Sequence, residues 1–425
     1  AAILAESRKY QNEVSTKLAE QVLRALLDLL RGVKSADAQA RGKILAGVTP
    51  DEIYGGLLTV ILRLVFLLYA EERTLLPGDP VYQLGYSLAS LFARLREDAA
   101  QHPDTMDQRY GAWAHLLSLF RLVYDGATHD ACHLPARHGD LFDPDRYPFL
   151  EGRPPGDRRV VGEGLAGDVP QVSDGIIGKV LEGLLILEGE RLSYRTLDVE
   201  QLGSVYEHMM GYAVVTVAGP SVALKPHHVL VDLADLLRQK PAERAKRVKE
   251  LADCDLAPKE AEALRAAADV DQAVAALGRR VSPRTPAVLL AGALYLQPGE
   301  ERRRSGSHYT PRTLTVPIVE TTLRPVLEAL GPRPTPAQIL DLKLCDPAMG
   351  SGAFLVGACR YLAAILVTAW EHHGEIPTIP PDEEPVIHAQ RLIAQRCLYG
   401  VDKNPFAVSL AKLSLWLVTL AKDHP

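Results

Sequence analysis

The amino-acid sequence predicts a helical amino-terminal domain followed by the opening elements of an α/β domain. Three observations carry this expectation. Through the first 124 residues apolar side chains recur at helical spacing between charges. From Leu342 to Leu355 a short apolar run reaches Asp346, Pro347 closes it, and Gly350 and Gly352 allow a tight turn before helical periodicity continues to about Trp370. A second short run, Leu398 to Asp402, restores the alternation of strand and helix that a parallel sheet requires.

Taken in order, Leu18, Val22, Leu23, Leu26, Leu29 and Leu30 define a first amphipathic helix to about Val33. Thr49-Pro50-Asp51-Glu52 reads as a helix start, with proline at the first position and acids in the first turn. The helix it opens runs to about Thr74 and is expected at the centre of the helical domain, with further helices at 81–99 and 109–124. Residues 125–170 have loop chemistry, rich in Gly, Pro, Asp, Arg and His. The His129, Cys132, His133 and His138 cluster there fits no zinc spacing, so no metal site is assigned. Leu141 to Asp143 and Tyr147 to Leu150 are expected to pack their aromatics back on the helices.

Residues 172–211 read as helical, interrupted around Leu192 to Thr196. Ala213 to Ala218 and Ala223 to Lys225 read as a hairpin through Gly219-Pro220. Short charged helices follow to Arg280; the basic run Lys240, Arg244, Lys246, Arg247, Lys249 is interleaved with Glu243 and Glu250 and is expected to be a solvated face. Arg302, Arg303 and Arg304 form either an exposed turn or a phosphate contact. A helix from Pro311 to about Leu330, a proline-rich break, the strand to Asp346, its helix, a helix from Val386, the strand to Asp402 and a helix from Pro405 complete the chain. The expected domains are 1–170, helical with a loop-rich end; 171–300, mainly helical; and 301–425, the α/β block.

Composition bounds the function. With 47% hydrophobic and 24% charged residues the chain is an ordinary globular protein, and its net charge of −6 excludes a global polycation, so any nucleic-acid contact rests on local basic patches. Five scattered cysteines, an odd number, indicate a reducing, cytoplasmic setting. The apolar run Gly55 to Ala70 carries Arg63 and reads as a buried helix, not a membrane span.

The glycine turn alone does not name a ligand. In an open parallel sheet a nucleoside-bearing ligand sits at the carboxyl ends of the strands, where Asp346 is placed to accept from a cationic or hydroxyl group. Gly350 and Gly352 supply two positions of a dinucleotide fingerprint, but Leu355 stands at the third, and no Lys follows to make a P-loop. Another nucleotide-binding α/β domain therefore stays open at this point.

The string Asp346-Pro347-Ala348-Met349-Gly350-Ser351-Gly352-Ala353-Phe354-Leu355 closely resembles the S-adenosylmethionine-binding motif of amino-methylating DNA methyltransferases, with Met349 where that family usually has Cys. Gly306-Ser307-His308-Tyr309-Thr310-Pro311 upstream and Tyr399-Gly400-Val401-Asp402-Lys403-Asn404-Pro405 downstream resemble two further motifs of the same family, in order. Asp198 to Met210 is similar to the segment preceding the methyltransferase domain in large single-chain members. The resemblance is to N6-adenine DNA methyltransferases of the large restriction-modification or phage-defence kind, BREX-like, DISARM-like or Type IIG-like. It implies a Rossmann-like domain binding S-adenosyl-L-methionine, with cytosine N4 as the alternative methyl acceptor.

The resemblance also implies roles. Asp402 would accept the two ribose hydroxyls, Asp346 the methionine ammonium, Thr310 with His308 and Tyr309 would hold the carboxylate end, and the backbone of Ala348, Met349, Gly350 and Gly352 would line the methionine and ribose. Double-stranded DNA is the implied substrate, other restriction or defence subunits are possible partners, and no membrane is involved. The family's Asn/Asp-Pro-Pro-aromatic motif is not found. Asn404-Pro405-Phe406 lacks the second proline and reads as a helix start, so no catalytic residue is assigned in this chain. The expectation is a piece of a longer protein, or a split subunit, inactive by itself. No Asp…Glu-X-Lys nuclease pattern is found, so restriction is expected to reside in separate factors. A non-catalytic subunit that binds the cofactor for sensing or assembly is the alternative.

Overall fold

The computed structural model describes residues 2–129, 132–158, 169–195, 203, 209, 211–299, 310, 312–379 and 383–419, with side chains from residue 17. His308, Tyr309, Arg302 to Arg304 and the 198–210 segment apart from Gly203 and Met209 lie outside the described residues. The chain divides into two compact units, the first Ala1–Gly47, Gly55–Met210 and His308–Pro425, the second Val48–Tyr54 and Gly211–Ser307.

Helix α1 (Ala2–Gln39) and helix α2 (Pro50–Glu72) open the chain. Thr49 and Glu52 form a reciprocal cap, with Thr49 Oγ1 accepting from the Glu52 amide and Glu52 Oε2 accepting from the Thr49 amide. From Ile53 to Ala70 every residue of α2 is buried. Among the described residues two helices, α2 and Ala353–His373, are long and apolar enough to cross a membrane, and α2 is enclosed within the fold. Arg63 is 3% exposed yet satisfied: Nε donates to Leu141 O at 2.6 Å and Nη2 to Asp143 O at 3.0 Å, with the guanidinium over the Phe120 and Phe142 rings. Burial lowers its pKa to about 10, so it remains cationic at neutral pH.

The expected 81–99 helix is two helices, α3 (Pro80–Gly85) and α4 (Leu88–Gln101). The break has a local cause, because Ser87 caps the Ser90 amide while the half-buried Glu71 carboxylate accepts from Leu88 and Ala89 amides and the Tyr82 hydroxyl. Helix α5 (Ala112–Asp125) follows, and the loop-rich stretch holds a small hairpin of β1 (Ala127–His129) and β2 (Cys132–Leu134). Phe142, Phe149 and Leu150 are buried, as the aromatic pattern predicts. Helix α6 (Asp174–Leu185) packs on α1 and leads into the short pair β3 (Ile186–Leu187) and β4 (Glu190–Arg191).

In the second unit the predicted hairpin does not form. Strand β5 (Tyr212–Thr216) pairs with β8 (Leu294–Pro298), whereas β6 (Ser221–Leu224) pairs with β7 (Val229–Asp232). The reason lies in the intervening amides: Val217 N goes to Ala293 O and Ser221 N to Leu289 O, so both ends of the Gly219-Pro220 link are tied to the same distant segment. Helices α7 (Leu233–Arg238), α8 (Arg244–Ala252), α9 (Pro258–Ala266) and α10 (Val270–Leu277) enclose a core around Val222, Leu233, Val248 and Leu277. In the basic run Lys246 and Arg247 pair with Glu250 and Lys249 with Asp255 on an outer face, while Arg244 is buried and donates to the carbonyls of Leu237, Leu264 and Ala267.

The last block comprises α11 (Arg312–Ala329), α12 (Pro336–Leu340), β9 (Leu344–Asp346), α13 (Ala353–His373), α14 (Pro385–Arg396), β10 (Leu398–Gly400) and α15 (Pro405–Thr419). Strands β9 and β10 are parallel, with Leu344 opposite Leu398 and Asp346 opposite Gly400. One core joins Val319 and Leu323 of α11, Leu362 and Leu366 of α13, and Ala389 and Ile393 of α14. The block belongs to the same unit as the helices: Trp416 of α15 stacks on Phe66 of α2 at 4.4 Å between centroids, and Phe142 meets both edge-on.

Two expectations follow. Gly56 of α2 lies against Phe149, whose ring would be 2.5 Å from an added Cβ, whereas nothing stands within 4 Å of Gly178 in α6. Alanine gains about 1 kcal/mol of helix propensity, but overpacking a rigid buried ring costs about 1–3 kcal/mol. Gly56→Ala should therefore destabilise, and Gly178→Ala should stabilise by about 0.5–1 kcal/mol, both read from urea midpoints. Burial raises the Glu71 pKa above the ordinary 4.5, outweighing its three donors. The native state thus holds that proton more tightly than the unfolded chain, and stability is lost as pH rises through the raised value. Relative to Glu71→Gln, the wild-type melting temperature should fall from pH 4.5 upward and then level off; a rising difference would contradict the burial.

Candidate functional site

The carboxyl ends of β9 and β10 form the site. Because the strands are parallel, both chains leave the sheet on the same side. The ladder continues beyond the strand ends, with Val401 N donating to Asp346 O at 2.9 Å and Met349 N to Val401 O at 3.0 Å. These bonds fold the 347–352 loop back onto the end of β10.

Glycine is required where the loop turns. Gly350 has φ 51° and Gly352 φ 83°, left-handed conformations that side chains rarely adopt. At Gly352 there is also no room, since an added Cβ would lie 3.1 Å from the Ala411 Cβ of α15. Helix α13 begins at the next residue, so its amino-terminal end, with its unpaired amides and positive dipole, stands behind the loop.

The two carboxylates hold this loop from both sides. Asp346 is half-buried and its Oδ1 accepts from the Ala348 amide at 3.1 Å. Asp402, also half-buried, accepts from the Gly350 amide through Oδ2 at 2.9 Å and from the Asn404 amide through Oδ1 at 2.8 Å. A carboxylate has about four acceptor positions, so these bonds leave each side chain capacity for an outside donor. The structure thus joins turn and capping roles to an accepting surface at two adjacent strand ends.

Of the sequence-predicted residues, Asp346, Ala348, Met349, Gly350, Gly352 and Asp402 come together here. Thr310 is half-buried and precedes α11; His308 and Tyr309 lie outside the described residues. Met349 turns inward, 8% exposed, and packs with Leu355 and Ala411. Its packing reveals a residue that the motif reading did not single out: a side chain on Gly400 would collide with the Met349 thioether and Leu355. The sequence signal for it was its place in the Tyr399 to Pro405 motif, a glycine within a short apolar run. Asn404 caps α15, its Oδ1 accepting from the Phe406 amide at 2.9 Å, which bears out the helix-start reading of Asn404-Pro405-Phe406.

Beside the site Tyr399 and Val401 are 50% and 58% exposed, and Cys345 of β9 is exposed as well. Beneath it Cys359 and Cys397 are fully buried, and burial pushes the Cys359 thiol up to about 12.

Comparison with known protein families reaches the same block. Residues 334–424 match the MmeI DNA-methyltransferase domain family, a range holding Asp346, the glycine turn and Asp402. The adenine-specific methyltransferase PglX of Streptomyces coelicolor is 30% identical over 131 residues, a match covering 31% of this chain and 9% of that protein. The chain thus matches under a tenth of the length of its curated relative. No solved structure matches. Residues 334–424 thus resemble a DNA-methyltransferase domain, in the block where two of the three motifs lie.

Thiol chemistry checks the packing under the site. At pH 8, where thiolates react, iodoacetamide should modify Cys345 well before Cys359 and Cys397. Mass spectrometry of the labelled peptides reads the order, and early loss of the Cys359 thiol would show that α13 is not seated as described.

Proposed function

We propose that this chain carries the S-adenosylmethionine-binding part of a Rossmann-like DNA methyltransferase that modifies adenine N6 in restriction-modification or phage defence. The observation that supports it most is the pair of carboxylates, Asp346 and Asp402, at adjacent parallel strand ends on either side of a left-handed glycine turn. This donor set fits the ligand. Asp402 offers its free acceptor positions to a ribose diol, Asp346 offers a negative charge to the methionine ammonium, and the side-chain-free turn admits the ligand close to the backbone. Thr310, with His308 and Tyr309, would meet the carboxylate end.

When bound, the cofactor supplies an electrophilic methyl group on a sulfonium. This chain's residues would fix the direction in which that methyl points. Direct transfer to an exocyclic amine requires no covalent enzyme nucleophile, only alignment and stabilisation of charge developing on the amine. Double-stranded DNA is the proposed substrate, with separate restriction or defence subunits as proposed partners. A cytoplasmic setting is supported by the unpaired state of all five cysteines.

Asp402→Ala in the full-length protein should weaken S-adenosylmethionine binding by about 1–3 kcal/mol, the cost of leaving donors unpaired. Calorimetry measures it, and a melting curve separates local ligand loss from unfolding. Unchanged affinity would remove the ribose role from Asp402, and tritiated-methyl transfer to unmethylated DNA tests the activity itself.

A further inference from the structure

A cavity of about 270 Å³ lies between the 137–146 loop and α15, on a face of the helix that carries Ser409, Lys412 and Trp416. Its charged lining is built into the fold. Arg137 is only 6% exposed and Arg146 Nη2 donates to Ser409 Oγ at 3.2 Å. Lys412 pairs with Asp140, whose pKa is lowered first by that hydrogen bond and then by the charge. Neighbouring carboxylates are already engaged, Glu151 by Arg121 and Arg153, and Asp145 by Arg153. Among the described lining residues three cations, Arg137, Arg146 and Lys412, therefore stand beside one carboxylate, Asp140. The loop is held rigidly for such a task, since Arg63 binds its carbonyls at Leu141 and Asp143 while Phe142 meets the stacked Phe66 and Trp416 rings edge-on.

We propose that this cleft binds a phosphate group, carried by the backbone of duplex DNA. Fixed guanidinium groups beside a mobile ammonium suit phosphate oxygens, and a contact of this kind positions a duplex without reading its sequence. The inference rests on the DNA-acting reading for the molecule that carries the phosphate, and a free phosphate compound would present the same chemistry.

The test uses the full-length protein and two variants of the exposed pair, Lys412→Ala and Asp140→Asn. Such a pair contributes little to stability. A fluorescein-labelled 20-bp duplex is titrated by anisotropy over a series of salt concentrations, and inorganic pyrophosphate by calorimetry. Lys412→Ala should weaken duplex binding roughly threefold to tenfold and flatten the plot of log affinity against log salt by about 0.9, one phosphate contact fewer. Asp140→Asn, which frees Lys412, should tighten binding; a merely structural role would move both variants in the same direction. S-adenosylmethionine affinity should be unchanged in both, so failure here is distinguishable from failure of the cofactor reading. Pyrophosphate binding that depends on Lys412, with duplex binding unaffected, would assign the cleft to a free phosphate compound and overturn the DNA assignment. No response of either probe to either variant would overturn the site altogether.

Discussion

The hydrogen bond from the Gly350 amide to the Asp402 carboxylate ties together two segments 52 residues apart. Parallel pairing of β9 with β10 brings the segments alongside each other, but three residues of ladder per strand fix little by themselves. Asp402 adds a charged acceptor at the point where the ladder stops, and such a bond contributes about twice what a neutral one does. Its second oxygen takes the Asn404 amide, so one side chain orders the turn after β9 and the turn after β10. The same side chain can then present its remaining lone pairs to a ligand only in the orientation those two amides permit. The structural anchoring and the proposed ligand contact would thus use the same side chain.

The helical part of the unit sets where this arrangement sits. Asn404 caps α15, and α15 is pinned three turns later by Trp416 against Phe66 and Phe142. Aromatic pairs of this kind contribute about 0.5–1.5 kcal/mol each beyond their area, and Arg63 keeps Phe142 in place by satisfying the carbonyls on either side of it. A guanidinium inside an apolar helix is expensive unless its hydrogen bonds are met. Here it is met by the loop that α15 also touches. Displacing that loop would disturb α15, and through its cap the orientation of Asp402.

Local patterns made much of this legible. The buried helix at 50–72, the Thr49 cap, the glycine turn, both strand ends and the Asn404 helix start follow from spacing and residue type over a few positions. The three-motif resemblance supplied the ligand chemistry that glycine spacing alone left open. What the sequence concealed were choices of distant partner. Periodicity says that β5 and β6 are strands, yet not that β5 waits for Leu294–Pro298. The need for glycine at position 400 was hidden because Met349, whose side chain fills the space above it, is 51 residues away in sequence order (400 less 349). Arg146 and Ser409 are separated by 263 residues, and nothing in either segment announces the other.

The local charge distribution would let an acidic chain meet the proposed anionic partner. A net charge of −6 would oppose nucleic acid if it acted as a single body. At physiological ionic strength, however, exposed charges are screened beyond about 8 Å. An anion near Lys412 is therefore governed by what lies within that distance, chiefly Arg137, Arg146 and Asp140, and not by the acids of remote loops. Besides Asp140, the carboxylate of the following segment is already engaged, since Glu151 accepts from Arg121 through both oxygens and from Arg153 through one. Burying that carboxylate would remove it from competition for an incoming phosphate and leave Arg146 and Lys412 as the accessible cations of the cleft. A modest local excess suffices when it is held at a fixed position, and the loop between Arg137 and Arg146 is held from below by Arg63.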